Sequence, residues 1–241
     1  MEISTSDPLA KSLMAAIHKG DMEALRKLLD GNPGISTVFI VDAKQVGRTL
    51  LHVATDWPGH FPNVARTIAL LIERGADPDA PVIRAKTQET PLHWAASSND
   101  VDAIDALLDD GANIESAGAI FTNGTAMSDA VIFANWNAAR RLLERGAKTT
   151  LAQSAALGLL DRLTTWFDQD STPPSAEITG ALWHACRAGQ LQTVQYLVEK
   201  GANLNWVGWD NLAPLDGAQQ SGRNDLVAWL REHGAKPASE L

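Results

Sequence analysis

Asp129, His184 and Arg187 have side chains of the types that transfer protons and bind anions. A histidine titrates near neutral pH, and a neighbouring carboxylate would orient its ring for general acid–base catalysis. Arg187 would then hold an anionic group of the substrate. This chemistry requires Asp129 and His184 to lie about 3 Å apart or to share one bridging water. The alternative interpretation is that these three side chains form salt bridges within the protein on a solvent-exposed surface and take no part in catalysis or binding.

The composition and charge limit the kinds of molecule that this protein is expected to bind. The 241 residues are 45% hydrophobic and 20% charged, which is typical of a globular protein. They include 20 Lys and Arg against 29 Asp and Glu. The resulting net charge of −9 would repel nucleic acid and anionic membranes, and it favours a neutral or basic protein partner. Cys186 is the single cysteine and the first residues lack an export signal, so we expect a cytoplasmic location.

Common signatures of catalysis and cofactor binding do not occur in the sequence. It contains no P-loop, no GxGxxG or GxSxG motif and no HExxH. Asp77 and Asp79 place two carboxylates close together, but a turn explains them better than a calcium site with too few ligands. We therefore predict neither a cofactor nor a metal ion.

A Gly-Ala pair recurs along the chain after apolar stretches, beginning at Gly75, Gly111, Gly146, Gly201 and Gly234. The segment TPLHWAA at residues 90–96 stands about 21 residues before the second of these glycines. Similar segments precede the other four glycines. Such a period indicates an array of small structural repeats.

Each repeat has the pattern of two short helices. Thr90 can cap the first helix and is followed by a proline at the first helical position. Ile104 and Leu107 belong to an apolar stripe with helical spacing on the second helix. Gly111 follows where a helix ends in a left-handed residue, a conformation that glycine adopts without steric strain.

The period near 33 residues and the TPLHWAA segment resemble the ankyrin repeat family. The resemblance implies an all-α repeat solenoid, in which stacked helix pairs are joined by hairpin loops. It also implies that His52 and His93 tie adjacent repeats by hydrogen bonds to the backbone. We predict a single ankyrin repeat domain over residues 1–241. It divides into an N-terminal cap unit at 1–45 and repeats at 46–80, 81–115, 116–150, 151–175, 176–205 and 206–241, with the unit near 151–170 degenerate.

Aligning the repeats predicts which side chains line the concave groove. His184 follows Trp183, which takes the usual histidine position, and is thereby rotated by about 100° toward the concave face. The corresponding residues of other repeats include Trp94, Asp129 and Gln153. The next helical turn of these repeats and the protruding loop at residues 56–62 are expected to contribute further side chains to the groove. The predicted binding residues are Trp57, Trp94, Asp129, Phe133, His184, Arg187, Trp206 and Trp209.

Trp206 and Trp209 lie in the segment NWVGWDN, which we expect at an exposed hairpin tip. A tryptophan without a packing role there indicates contact with another molecule. Folding back of both rings on the last repeat is the alternative.

Two functions follow from this sequence. The ankyrin resemblance covers residues 9–236 and implies a non-catalytic module that binds a protein partner through its groove and hairpin tips. The alternative is a small-molecule-binding protein or an enzyme, with an acid–base pocket around Asp129, His184 and Arg187. In that case His184 and Asp129 would be the catalytic residues; otherwise there are none.

Overall fold

The computed structural model describes residues 1–168, 172–208 and 210–241. It contains two compact units, residues 1–147 and residues 148–241, here called the N-terminal and C-terminal units. Both consist mainly of paired short helices. The predicted all-α repeat solenoid of ankyrin type is confirmed. The assignment of residues 1–241 to a single domain, with its repeat boundaries, stays a prediction.

The N-terminal unit, described throughout, contains a small sheet and four helix pairs. Its elements are β1 (Glu2–Ser4), α1 (Pro8–Lys19), α2 (Met22–Gly31), β2 (Phe39–Val41), β3 (Gly47–Thr49), α3 (Leu50–Thr55), α4 (Val64–Glu73), α5 (Pro91–Ser97), α6 (Val101–Asp109), α7 (Ala126–Ile132) and α8 (Trp136–Glu144). Strand β2 pairs in parallel with β1 and antiparallel with β3.

The described part of the C-terminal unit adds three helix pairs. They are α9 (Leu151–Ala156) with α10 (Leu160–Phe167), α11 (Ser175–Arg187) with α12 (Leu191–Glu199), and α13 (Pro214–Gln220) with α14 (Asn224–Glu232). The pair α9 and α10 is the degenerate repeat that the sequence predicts. No helix among the described residues has the length and apolar character needed to cross a membrane.

Like helices of neighbouring repeats pack on each other. In the N-terminal unit α5 contacts both α3 and α7, while α6 contacts α4 and α8. Leu92 and Ala95 of α5 and Ile104 and Leu107 of α6 are almost completely buried. The predicted apolar faces are therefore the faces that the repeats bury against each other.

Glycine ends the second helix of the repeats as expected. Gly111 has φ +96° and Gly146 has the same value, and both belong to the left-handed region. The following N–H of Ala112 donates to the carbonyl of Leu107 at 2.9 Å, which closes the end of α6.

His52 and His93 each tie their own repeat to the next one, as the resemblance implies. Nδ1 of His93 accepts from the backbone N–H of Thr90 at 3.1 Å, so the neutral ring carries its proton on Nε2. That Nε2–H donates to the carbonyl of Gly124, which stands directly before the cap of α7, at 3.2 Å. His52 makes the equivalent bond to the carbonyl of Glu89 at 3.1 Å.

Other side chains take the histidine position in the C-terminal unit. Trp183 donates its Nε1–H to the carbonyl of Leu212 at 2.9 Å, the same tie made by an indole instead of an imidazole. Gln153 accepts from the N–H of Thr150 at 2.9 Å and completes a capping box. The sequence alignment placed Gln153 one position too late, beside Trp94 and Asp129. That register is wrong, because Thr150 is the N-cap and Gln153 therefore takes the histidine position.

Removing the His93 ring should destabilise the N-terminal unit. His93→Ala deletes the bonds to Thr90 and to Gly124 in a buried setting, and we expect a loss of about 2–4 kcal/mol in the free energy of unfolding. Urea denaturation monitored by circular dichroism measures this loss. His60→Asn is the control, because the His60 side chain is 62% exposed; equal losses for the two variants would contradict the assigned tie.

Candidate functional site

A cleft of about 540 Å³ opens on the N-terminal unit. Three of the predicted binding residues, Trp57, Trp94 and Phe133, line this cleft together. The complete lining is Asp56, Trp57, Glu89, Trp94, Ser97, Ser98, Ile120, Phe133 and Asn135. We call it the aromatic cleft. All of its residues belong to the loops and first helices of three successive repeats.

The loop between α3 and α4 forms one wall and carries Trp57, whose side chain is 81% exposed. The buried carboxylate of Asp100 holds this loop by accepting the backbone N–H of His60 at 2.5 Å. Gly59 lies so close to α5 that a Cβ atom there would stand 2.8 Å from Cβ of Ser98. Asp56 is held by an ion pair with Arg48. An exposed tryptophan is thus presented on a loop that is fixed at several points.

His52 positions two residues of the cleft. Its ring meets the ring of Trp94 edge-on, with centroids 4.9 Å apart. Its Nε2–H fixes the carbonyl of Glu89, which also accepts the N–H of Val82 at 2.9 Å. Burial lowers the pKa of His52 to about 3, so the ring stays neutral and keeps this arrangement at physiological pH.

The opposite rim of the cleft is apolar, and some of its residues were not predicted from the sequence. Phe133 follows α7 and is 44% exposed, and its ring lies 6.0 Å from that of Phe121. Ile120 and Phe121 belong to the loop before α7 and are 45% and 67% exposed. Sequence reasoning missed both residues. The available signal was a pair of large apolar side chains within residues 117–125, which are otherwise Gly, Ala, Thr and Asn.

Asp129 lies behind this rim and is completely buried. Its Oδ1 accepts the N–H of Ile120 at 3.3 Å, whereas no group of the N-terminal unit donates to its Oδ2. Burial, followed by the nearby Glu89 charge, raises the pKa of Asp129 to about 7. The expected solvated strip is therefore wrong for Asp129, because the residue is enclosed by the packing of α7.

Glu89 was also missed by sequence reasoning. It directly precedes the cap of α5, and its carboxylate accepts a hydrogen bond from the Thr87 hydroxyl at 2.8 Å. Partial burial raises the pKa of Glu89, against the lowering effect of that bond. Ser97 adds a buried hydroxyl oxygen that no described residue contacts by a hydrogen bond. The cleft thus combines exposed aromatic rings with acidic and hydroxyl groups.

His184 and Arg187 belong to the C-terminal unit. His184 is 6% exposed, and its ring meets that of Trp183 edge-on with centroids 5.0 Å apart. The Arg187 guanidinium lies over the Trp183 ring, 4.8 Å from its centroid. Burial and the Arg187 charge lower the pKa of His184 to about 4. The histidine that was expected to titrate near neutrality is therefore neutral at pH 7.

Trp206 does not stand free at a hairpin tip. It is half-buried, and its ring lies edge-on to Trp183 with centroids 6.4 Å apart. Trp206 therefore fits the alternative expectation, in which the ring folds back on the protein, better than the expectation of an exposed tip. The ring that it contacts, Trp183, belongs to the preceding repeat and not to the last one. Trp209, the other residue of this prediction, lies outside the described residues.

Comparison with known families identifies the class of protein. The family described as "Ankyrin repeats (3 copies)" matches residues 64–153 and 151–240, and the single "Ankyrin repeat" matches residues 46–81. These matches cover most of the chain. The chain belongs to the ankyrin repeat family, whose members generally act as protein–protein interaction modules.

Individual relatives agree with the family. Ankyrin repeat protein nuc-2 of Neurospora crassa is 24% identical over 97% of this chain and 19% of its own length. An ankyrin repeat and KH domain-containing protein of Caenorhabditis briggsae is 28% identical over 65% of this chain and 5% of its own length. The chain therefore spans a small part of these relatives. The human ASB11 ankyrin repeat domain has a similar fold, with a TM-score of 0.52, 19% identity, and coverage of 90% of this chain and 96% of that domain.

The buried carboxyl of Asp129 predicts a pH-dependent stability. Because its folded pKa of about 7 exceeds that of an unfolded aspartate, its contribution is fully present below about pH 4 and is lost as the pH rises through 7. Asp129→Asn is neutral at every pH. Relative to the unmodified protein, the variant should gain up to about 4 kcal/mol of unfolding free energy between pH 4 and pH 7.5.

Urea denaturation at both pH values measures this gain. Asp110→Asn, at an exposed position of the same unit, is the control and should change stability by less than about 0.5 kcal/mol at either pH. A gain for Asp129→Asn that is the same at pH 4 and pH 7.5 would show that the carboxyl ionises normally.

Proposed function

We propose that this protein is a non-catalytic binding module that captures a protein partner in the aromatic cleft of its N-terminal unit. The observation that carries this proposal is the convergence of Trp57, Trp94 and Phe133 on one cleft, with Phe121 beside them. Large aromatic side chains at the centre of an interface commonly supply most of its binding energy. The net charge of −9 favours a neutral or basic partner, and the single cysteine suits the cytoplasm.

The rigidity of the cleft supports this role. Asp100, Gly59 and the Arg48–Asp56 ion pair fix the loop that carries Trp57, and His52 fixes Trp94. Because the aromatic anchors are held before the partner arrives, little conformational entropy is lost on binding. An exposed apolar cluster of this kind has no evident packing role in the unit itself.

The acid–base alternative has weaker support. It requires His184 to exchange protons near neutral pH, whereas burial holds the pKa of His184 at about 4. Asp129 and His184 also belong to different compact units.

Aromatic truncation in the cleft tests the proposal. The 241-residue protein is used to capture partners from an extract of its source cells, and the affinity of the captured protein is then measured with purified components. Trp94→Ala and Phe133→Ala should each weaken binding by about 30-fold or more, since central aromatic residues contribute about 2 kcal/mol or more.

Leu160→Ala is the matched control, because Leu160 is an exposed apolar residue of the C-terminal unit. Its affinity should stay within about 2-fold of that of the unmodified protein. A partner that binds the cleft variants normally and loses affinity with Leu160→Ala would overturn the assignment of the cleft.

A further inference from the structure

We propose that the aromatic cleft receives a lysine or arginine side chain of the partner, with the charged end beside Glu89 and the aliphatic stem along Trp94. This inference rests on the proposed function and specifies the chemistry that the cleft recognises. It follows from the charge of the lining, the aromatic surface and two buried oxygen atoms without hydrogen bonds.

The charged groups of the cleft carry one sign. Its lining includes the carboxylates of Asp56 and Glu89 and no Lys, Arg or His, in a unit whose residues are all described. Asp56 is neutralised by Arg48. The Glu89 carboxylate receives a hydrogen bond from the neutral Thr87 hydroxyl and makes no ion pair within this fully described unit, so its charge is balanced by no cation. A positively charged group is therefore the complementary guest.

The aromatic surface beside Glu89 favours the same guest. Trp94 lines the cleft and is held by the His52 ring, which leaves its side chain only partly buried. Indole faces attract ammonium and guanidinium groups, and they also pack against the methylene groups of long basic side chains. An anionic guest would meet the Glu89 carboxylate, and a purely aliphatic guest would leave that half-buried carboxylate without a counter-charge.

Buried polar atoms around the cleft provide an independent indication. Oδ2 of the completely buried Asp129 and Oγ of Ser97 have no hydrogen-bond partner within the unit. Buried polar atoms are nearly always satisfied in folded proteins, so unsatisfied ones often mark functional positions. The Asp129 carboxyl is also near enough to Glu89 for the two charges to oppose each other. A cation beside Glu89 would relieve this repulsion as well.

A peptide selection with a charge-deletion control tests the inference. Random peptides displayed on phage are selected on the 241-residue protein, and the enriched sequences are synthesised. Each basic residue is then replaced by norleucine, which preserves the aliphatic stem and removes the charge. On the unmodified protein, one such replacement should weaken binding by about 10-fold or more.

The same peptides are measured on Glu89→Gln and on Glu73→Gln, whose side chain is exposed on α4 outside the cleft lining. Glu89→Gln should reduce the preference for the basic peptide over its norleucine form to about 2-fold or less, while Glu73→Gln should preserve it. Thermal unfolding of both variants verifies that they are folded.

The outcomes separate this inference from the proposed function. Peptides that need Trp94 but bind equally well with norleucine, or keep their preference on Glu89→Gln, would overturn the basic guest and leave the cleft as the binding site. Peptides that bind Trp57→Ala and Trp94→Ala normally, or a selection that yields no peptide, would contradict the cleft itself.

Discussion

A pair of short helices, here of 6 to 13 residues each, exposes apolar surface on two sides, so each repeat is stable only when it packs against its neighbours. Packing alone leaves the loops between repeats unconstrained. In the N-terminal unit His52 of α3 and His93 of α5 supply the missing constraint, because each ring binds the carbonyl that precedes the next first helix. His52 binds Glu89 in this way, and His93 binds Gly124.

This hydrogen bond gives one position of the first helix a structural role. The residue at the histidine position is buried and engaged with the backbone, and Trp183 shows that an indole can make the same tie. The residue directly after it differs between repeats, and it is the partly buried Trp94 in one repeat and the completely buried Asp129 in the next. His52 connects the two functions, because the ring that closes a loop also supports Trp94 and fixes the backbone of Glu89. Side chains for binding are thus held by the contacts that hold the repeats together.

The sequence predicted the fold and the aromatic part of the cleft well. Helix pairs, left-handed glycines and the grouping of Trp94 with Phe133 follow from period and spacing, because helical geometry fixes which residues share a face. Trp57 joins them from the long loop after α3, which the sequence predicted to protrude. Glu89, Ile120 and Phe121 were missed because they lie in loops, whose conformation depends on tertiary contacts. The burial of Asp129 was not predicted, and the inward packing of Trp206 was only an alternative, because both depend on tertiary contacts, with the loop at Ile120 for Asp129 and with the Trp183 ring for Trp206. Gln153 was misplaced by one residue because the adjacent Thr149 and Thr150 are both possible N-caps, and the structure shows that Thr150 takes this role.

The central claim is that a partner binds the aromatic cleft of the N-terminal unit. Nuclear magnetic resonance of the indole N–H groups tests it directly, because each tryptophan of the 241-residue protein gives a separate signal. On addition of a captured partner or a selected peptide, the signals of Trp57 and Trp94 should shift, while those of Trp166 and Trp229 in the C-terminal unit should not. Shifts confined to Trp166 and Trp229 would contradict the account.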